Sequence, residues 1–333
     1  MAITYDGSNG FDNGTQRLAT VDGTGFIGIS AVNPHTGVYA QRFSSASAGG
    51  FVRFQWKTAP SDPSVSFWID MGDCYGDTKF HVEFVMGGTN MVLRWNPATH
   101  TFDLEVGGST VASGTIEVPV NDYFNVQWRA EIDSVAGYVG LKINGIPSLS
   151  YSGDTQTDSI AAVVTYLLFA QDYGLGHSHV VDVDDVVWGH GNDYLGDCRV
   201  DWLAPTADTA LDDWLKSVGA DAYALVDEIP NSDSDYIYSE TDANETELEL
   251  EDWDDTDKTP VLVSAIARII QTAATGDQVE LGVDSGGVDD TEAVTPETEF
   301  RYYYHEMPLD PDGSVAWTDA AIDALKFRVE SVF

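Results

Sequence analysis

The feature that most constrains this fold is a long series of short strand-like segments with almost no helical period. Across residues 51–170, aromatic and β-branched side chains alternate with polar ones, as in FVRFQWK at residues 51–57. Turn signals such as Asn96-Pro97 and Asn144-Gly145 separate the segments. Strands that recur at intervals of about 8 to 12 residues predict a double-sheet β-sandwich or jelly roll.

A joint near residue 190 divides the chain. In residues 180–188 valines alternate with acids, which predicts a half-buried strand with Asp182 and Asp184 on one face and Asp185 on the other, unless a bulge intervenes. Residues 189–193 contain no apolar side chain, and residues 198–202 alternate again, which predicts a new strand. The sequence therefore predicts an all-β chain of two domains, a jelly-roll β-sandwich at residues 1–192 and a smaller acidic β-sandwich at 193–333.

The C-terminal half supplies its own strand signals. Strands are predicted at residues 259–270, 277–287 and 300–307. Residues 317–324 predict a short helix with a threonine N-cap, and residues 325–333 predict a strand that closes the second sheet. Residues 212–228 are compatible with a helix or with a loop and strand.

The charge excludes some classes of partner. The chain has 15 basic and 55 acidic side chains, a net charge of −40, and residues 182–257 alone contain 24 acids and two bases. Proteins that bind nucleic acid neutralise phosphates with basic side chains, so we expect no nucleic-acid partner. The same charge opposes attachment to anionic membranes and favours solubility at high salt.

The cysteines and the N-terminus bear on compartment. Cys74 and Cys198 lie far apart and match neither a disulfide framework nor a metal-binding CxxC motif, so both are predicted to be buried thiols. Residues 1–15 contain no basic region followed by an apolar run, so we expect no secretory signal and no membrane insertion. Synthesis in the cytoplasm is the expectation, and work outside a cell would then require transport by an assembly or lysis.

Longer motifs resemble a known family. The chain contains YDGSNGF near its start, YFNVQWRAEIDSVAGYVGLKINGIPSLSYSG from residue 123, VDVDDVVWGHGNDYLGDCRVDWLAPTAD from residue 181, DAYALVDEIPNSDSDYIYS from residue 221 and RYYYHEMPLDPDGSVAWTDAAIDALKFRVE from residue 301. In order and spacing these motifs resemble tailed-bacteriophage virion proteins whose N-terminal half is a concanavalin-like or laminin-G-like jelly roll. The resemblance implies a hairpin in which Trp128 and Tyr138 face each other, and a closing strand at VDDVVW.

What the resemblance implies about function is a structural protein on a virion, in the tail, a fibre or a head decoration. Its partners would be other virion proteins and copies of itself, and its location the virion after synthesis in the host cytoplasm. The competing hypothesis is a lectin module that binds a host receptor or surface glycan. Neither hypothesis requires catalysis or a cofactor, and neither assigns catalytic or cofactor-binding residues.

An enzyme hypothesis comes from the same fold, because some concanavalin-like jelly rolls are β-glucanases. These use two carboxylates about 5 to 5.5 Å apart in retaining enzymes. Glu131 and Asp133 begin such a signature, but Ser134 and Val135 follow, so the second catalytic glutamate is missing. One carboxyl group cannot serve both roles, and the alternative is a strand end that leads into a hairpin turn. We therefore expect no enzyme.

Two acidic clusters could hold calcium, which takes six to eight oxygen ligands. They are Asp182, Asp184 and Asp185, and the run Asp252, Asp254, Asp255 and Asp257. Neither cluster has the spacing of a calcium loop, and a solvated acidic surface is the alternative. The metal ligands therefore stay unknown at this point.

Histidines and aromatic residues give the remaining candidates. His177, His179 and His190 lie near the joint. His177 and His179 could flank a metal, but no third ligand has matching spacing, and exposed loop histidines are the alternative. His305 is expected to pack among tyrosines. The tryptophans within alternating strands are predicted to be core residues: Trp56, Trp68, Trp95, Trp128 and Trp188. Tyr75 and Tyr173 lie in glycine-bounded loops, where each could stack on a sugar or pack within its loop.

Overall fold

The computed structural model describes residues 4–9, 19–23, 26–31, 34–35, 40–45, 50–56, 58–72, 79–86, 90–156, 163–172, 179–227, 233–253, 258–273 and 275–333. The fold is nearly all β, and the chain divides into two compact units, Met1–Asp201 and Trp202–Phe333. The division lies nine residues after the boundary that the sequence suggests. No helix in the described part of the chain is long and apolar enough to cross a membrane.

The N-terminal unit is built from fifteen described strands. They are β1 (Thr4–Asn9), β2 (Ala19–Gly23), β3 (Phe26–Ser30), β4 (Ala40–Ser45), β5 (Gly50–Gln55), β6 (Pro63–Asp70), β7 (Lys79–Val85), β8 (Met91–Asn96), β9 (Thr101–Val106), β10 (Ser109–Ser113), β11 (Phe124–Glu131), β12 (Gly137–Ile143), β13 (Ile146–Gly153), β14 (Tyr166–Asp172) and β15 (His179–His190).

These strands form two sheets. The described strands of the first sheet follow the order β13-β12-β11-β6-β15-β4-β3, with β1 also pairing with β15, and the second sheet follows β10-β9-β8-β7-β14-β5-β2. Aromatic rings join the two layers, since Phe84 of the second sheet stacks on Trp128 of the first with centroids 3.8 Å apart. The predicted β-sandwich is therefore confirmed.

The hairpin between β11 and β12 differs from the prediction in its register. Trp128 lies opposite Leu141, whereas Tyr138 lies opposite Glu131. Because neighbouring residues of a strand point to opposite faces, Trp128 enters the core while Tyr138 lies on the outer face. The predicted pairing of Trp128 with Tyr138 is wrong.

The C-terminal unit contains nine strands among its described residues. They are β16 (Pro205–Asp212), β17 (Leu215–Lys216), β18 (Ile237–Tyr238), β19 (Glu245–Leu250), β20 (Val263–Ile269), β21 (Gln278–Ser285), β22 (Val288–Val294), β23 (Arg301–Met307) and β24 (Lys326–Val332). One sheet has the order β16-β19-β24-β21-β22, and β17-β18 and β20-β23 form two ribbons. A core that includes Leu281, Met307 and Trp317 holds these layers together.

Several local predictions are confirmed in this unit, and one is wrong. Helix α1 (Asp319–Asp323) begins after Thr318, whose side chain accepts a hydrogen bond from the N–H of Ala321. Of the two alternatives for residues 212–228, the described part, residues 212–227, has the loop and strand, with β17 and a 3₁₀ turn at Tyr223–Leu225. Strand β24 does not close the sheet but lies at its centre, where it pairs with both β19 and β21.

The predicted strand at residues 198–202 is also wrong. This segment has no strand pairing, and it folds back over the first sheet, where Leu195 and Cys198 pack with Val187. The apolar alternation there serves this small cluster instead of a new sheet. Cys198 is buried, as predicted, whereas Cys74 lies outside the described residues.

Candidate functional site

The face of the first sheet that points away from the sandwich core, called the outer face below, is polar. On β6, Val65, Phe67 and Ile69 enter the core, so that Ser66, Trp68 and Asp70 lie on the outer face. On β11 the same alternation places Asn125 and Gln127 on the outer face. The prediction that Trp68 is a core residue is wrong. Trp68 lies two residues from both Ser66 and Asp70, so its side chain points to the same polar face as theirs. The other four tryptophans named with it are buried, as predicted.

A cleft of about 340 Å³ opens on this outer face. Its described lining consists of two aromatic residues, three amide side chains, a glycine and one acid: Trp68, Tyr123, Asn125, Gln127, Asn144, Gly145 and Asp197. Aromatic faces bind apolar faces of ligands, and amides both donate and accept hydrogen bonds. The lining therefore suits a small ligand that is apolar on one side and rich in hydroxyl groups at its edges.

The amides of the cleft are held in a connected network. Gln127 Nε2 donates to Asn125 Oδ1 at 2.9 Å, and Asn125 Nδ2 donates to Ser66 Oγ at 3.1 Å. Ser66 Oγ in turn donates to the carbonyl of Gly196 at 2.7 Å, and Asn144 Oδ1 accepts from the backbone N–H of Asn125 at 2.8 Å. Bonds of this kind fix the rotamers before a ligand arrives, which reduces the entropy lost on binding.

Trp68 is fixed on two sides. Its Nε1 donates to Asp197 Oδ1 at 3.1 Å and to the carbonyl of Cys198 at 3.2 Å. His35 stacks on the indole with ring centroids 3.9 Å apart, and its ring centroid lies 5.2 Å from that of Tyr123. Asp197 and Cys198 belong to the segment that the sequence assigns to the second domain. In the structure this segment forms a wall of the cleft.

Beside the cleft lies a buried group of acids on β15. Asp182, Asp184 and Asp185 are 3%, 0% and 0% exposed, so the predictions of a half-buried strand and of a solvated acidic surface here are wrong. A bulge between Asp184 and Val187, with Asp185 at φ 49°, shifts the register against β6. Asp184 and Asp185 both reach His35 as a result.

Cations and N–H groups compensate these acids. Arg42 Nε and Nη2 donate to the two carboxylate oxygens of Asp182 at 2.7 and 2.6 Å. The backbone N–H of His35 donates to Asp184 Oδ2 at 2.9 Å, and Asp185 Oδ1 accepts from the N–H of Val200 at 3.0 Å. Burial, and then the nearby carboxylates, raise the pKa of the Tyr123 hydroxyl far above its usual value. Tyr123 therefore stays protonated as a donor.

The other end of the outer face carries a cluster of cations and tyrosines. The Arg129 guanidinium lies 4.4 Å from the ring centroid of Tyr138, and the Lys142 ammonium lies 4.0 Å from that of Tyr194. Gly140 leaves room for the two tyrosine hydroxyls, since a Cβ there would lie 2.1 Å from the hydroxyl oxygen of Tyr194. This cluster adjoins the cleft, because Lys142 is the cross-strand partner of Gln127.

The residues of the glucanase-like signature have local partners. Glu131 ends β11, and its Oε1 accepts from Arg129 Nη1 at 3.1 Å. Asp133 Oδ1 accepts from the N–H groups of Val135 and Ala136, both at 2.7 Å, which lowers the pKa of its carboxyl group. Glu131 and Asp133 thus occupy a strand end and the turn that follows it.

The remaining candidates are dispersed. Within the residues that the structure describes, no three His, Cys, Asp or Glu side chains are grouped to hold a metal ion. His190 ends β15, Asp252 is exposed, and the side chain of His179 is not described. His305 does more than pack among tyrosines, because its Nδ1 and Nε2 contact Glu292 and Asp290 at 3.1 and 2.8 Å. Six candidates lie outside the described residues: Tyr75, Tyr173, His177, Asp254, Asp255 and Asp257.

Sequence comparisons add no relative: no family model matches, and no curated protein matches. Among solved structures, a Bacillus subtilis protein with a galectin-like fold aligns at 15% identity and a TM-score of 0.40, over 51% of this chain and 89% of its own. A carbohydrate-binding module from Bacillus subtilis aligns at 13% identity and a TM-score of 0.38, over 52% of this chain and 96% of its own. A carbohydrate esterase of Shiga toxin-encoding bacteriophage phi24B aligns at 11% identity and a TM-score of 0.42, over 57% of this chain and 100% of its own. Carbohydrate-binding proteins are thus among the structures similar to about half of this chain.

Proposed function

We propose that the N-terminal unit binds a saccharide in the cleft on its outer face. The observation that carries the proposal is the lining itself, in which the faces of Trp68 and Tyr123 accompany the amides of Asn125, Gln127 and Asn144. A sugar ring presents C–H groups on one side and hydroxyl groups at its edge. The indole and phenol would contact the C–H side, and the amides would bond to vicinal hydroxyl groups.

We further propose that binding occurs without turnover. Of the described lining residues Asp197 alone has a carboxyl group, and one of its oxygens accepts from Trp68. Hydrolysis of a glycosidic bond ordinarily requires two carboxyl groups on either side of it. Glu131, at the far end of β11, is paired with Arg129. Incubation of the protein with each saccharide that it binds, followed by reducing-end analysis, should show no cleavage.

The experiment for saccharide binding is a glycan array followed by titration calorimetry. Trp68→Ala should weaken binding by about tenfold or more, which corresponds to about 1.4 kcal/mol. Gln127→Ala, which keeps the aromatic wall, should weaken binding as well. Tyr236→Ala is the matched control, since Tyr236 is an exposed aromatic residue of the other unit. Absence of saturable binding to any glycan, or unchanged affinity in both cleft variants, would overturn the proposal.

A second candidate function, assembly into a tailed-phage particle, is favoured by a surface of the C-terminal unit. Leu215, 47% exposed, lies on β17, and Tyr236, 43% exposed, directly precedes β18. Val218, 56% exposed, follows β17. Exposed apolar groups of this kind mark protein interaction sites. Residues 212–238 contain seven acids and one base, so we propose a partner with basic side chains among the other virion proteins.

This proposal places the protein on the virion, and its test is incorporation. Leu215→Asp with Tyr236→Asp should remove the protein from purified particles, as measured by mass spectrometry. Ile146→Asp, at a residue of the N-terminal unit that is 56% exposed, should leave incorporation unchanged. Equal incorporation of both variants would overturn it. The homo-oligomer expected from the resemblance stays a prediction, which light scattering of the full chain would check.

A further inference from the structure

Lys142 occupies a distinctive position on the outer face. It lies on β12 directly opposite Gln127 and two residues before Asn144, and both of these neighbours line the cleft. Side chains at directly opposed positions of antiparallel strands lie about 4.5 to 5.5 Å apart at their Cβ atoms. The four-carbon stem of Lys142 therefore starts beside the cleft.

The surroundings of this ammonium differ from those of most other cations in the chain. Eight of the basic side chains pair with carboxylates: Arg42, Arg94, Arg129, Lys216, Arg268, Arg301, Lys326 and Arg328. Among the side chains that the structure places, no carboxylate lies within ion-pair distance of Lys142. Its ammonium lies instead over the ring of Tyr194. The chain has 55 acidic side chains, yet none of those that the structure places forms an ion pair with Lys142.

The contact with Tyr194 leaves hydrogen-bonding capacity on the ammonium. An ammonium group has three N–H donors, and a ring face takes up one direction of the group. The contact also holds the side chain in place, so that less rotamer entropy is lost when an anion binds. The geometry thus provides a charged donor on a side chain whose stem starts beside the amides of the cleft and whose ammonium is held by Tyr194.

We infer that the saccharide bound in the cleft is acidic, and that Lys142 binds its anionic substituent. This inference rests on the proposed saccharide binding. A uronic acid carboxylate is the substituent that we expect, and a sulfate or phosphate ester offers the same chemistry. The net charge of −40 repels anions at a distance, but physiological salt screens that repulsion beyond about 8 Å. Asp197 in the lining opposes an anion at short range, so retention of an acidic sugar depends on a direct contact between its anionic substituent and Lys142.

The test begins with the glycan array, on which neutral and acidic polysaccharides are both present. Each acidic polysaccharide that binds is then compared with a neutral form of itself: the carboxyl-reduced form for uronates, the desulfated form for sulfate esters and the phosphatase-treated form for phosphates. The wild type should bind the acidic form at least about tenfold more tightly. The treatment that lowers the affinity shows whether the bound substituent is a carboxylate, a sulfate or a phosphate.

Variants then assign the preference to Lys142. Lys142→Met keeps the stem over Tyr194 and should remove the preference for the acidic form without changing affinity for the neutral form, while Lys142→Arg should keep the preference. The matched control is Arg53→Met, because Arg53 also lies over a tyrosine ring, 4.8 Å from the centroid of Tyr166, but on the second sheet.

The outcomes separate the two proposals. Saccharide binding that ignores the anionic group, or that Lys142→Met leaves unchanged, overturns the role of Lys142 while saccharide binding stands. Absence of binding to all glycans overturns the proposed function and this inference together.

Discussion

The imidazole of His35 lies flat against the indole of Trp68, with the two ring planes inclined by 13°. His35 is held there by the acids of β15, since its Nδ1 donates to Asp185 Oδ2 at 2.7 Å and its backbone N–H donates to Asp184. Buried carboxylates thereby fix the aromatic wall of the cleft from behind. The shape of the site depends on side chains that no ligand in the cleft would touch.

Replacement of Asp185 tests this support. In Asp185→Ala, the N–H groups of His35 and Val200 lose their acceptor, so we expect the free energy of unfolding to fall by about 1–3 kcal/mol. Urea denaturation followed by tryptophan fluorescence measures the change. Asp252→Ala removes an exposed acid and should shift stability by less than about 0.5 kcal/mol. Equal stability of the two variants would contradict a supporting role for Asp185.

The pair between Arg42 and Asp182 gives a second prediction. Because Asp182 is buried, Arg42→Met leaves a carboxylate without its bidentate partner, and we expect a loss of about 3–5 kcal/mol. The double variant Arg42→Met with Asp182→Leu removes both charges and should recover most of that loss. Thermal and urea unfolding of the three proteins check this. A double variant no more stable than the single one would show that the pair itself contributes the stability.

A third prediction concerns pH. Burial raises the pKa of Glu330 above its usual value, Glu245 and Glu280 act in the same direction, and Arg328 opposes them. Below about pH 4.5 Glu330 is protonated and its contribution to the free energy of unfolding is fully present. This contribution is lost as the pH rises through the raised pKa, because the folded state then holds a disfavoured carboxylate. Glu330→Gln should therefore be more stable than the wild type at pH 7, and the difference should vanish near pH 4. Urea midpoints at both values measure it.

Asp233 supplies the control of opposite sign. Hydrogen bonds from Arg268 lower the pKa of Asp233, so its stabilising contribution is present above its usual pKa and is lost as the pH falls through the lowered value. Asp233→Asn should be less stable than the wild type at pH 7, by a small amount because this acid is largely exposed. The same pH trend in both variants would refute the assignment.

Gly282 gives a fourth prediction, on packing within the C-terminal unit. A Cβ at this position would lie 1.9 Å from the backbone oxygen of Asp290, so Gly282→Ala must displace strand β22. We expect a loss of about 1–3 kcal/mol or more. Gly219→Asn, where nothing lies within 4 Å and φ is +74°, adds a larger side chain in open space and should be tolerated. Calorimetric unfolding compares them.

Strand patterns in the sequence predict the layers of this fold well, because period-2 alternation and turn residues act locally. The N-cap at Thr318 and the turn at Asn144-Gly145 are confirmed for the same reason, the latter with φ of 49° and 76°. The central place of β24 depends on pairing with strands that are distant in the sequence, and the register of Trp128 depends on the length of the turn between β11 and β12. A single strand pattern does not encode such pairing.

The candidate site was only partly predictable. In residues 64–70 Trp68 shares its parity with Ser66 and Asp70, and this signal places it on the polar face. Asn125 and Gln127 carry the same signal on β11. The contact between His35 and Asp185 joins residues 150 positions apart and depends on a bulge in β15. Neither the residue types nor their spacing in the sequence predicts this contact.

Strand β15 is the last strand of its unit along the chain, yet it lies between β6 and β4 and also pairs with β1. During translation, the early strands of the first sheet must therefore wait for residues 179–190 to leave the ribosome before their edges are joined. Until then β4 and β6 expose unpaired N–H and C=O groups, a template for association between nascent chains. Synthesis in the presence of a chaperone that shields such edges should raise the yield of this protein more than that of sandwiches whose central strands emerge first.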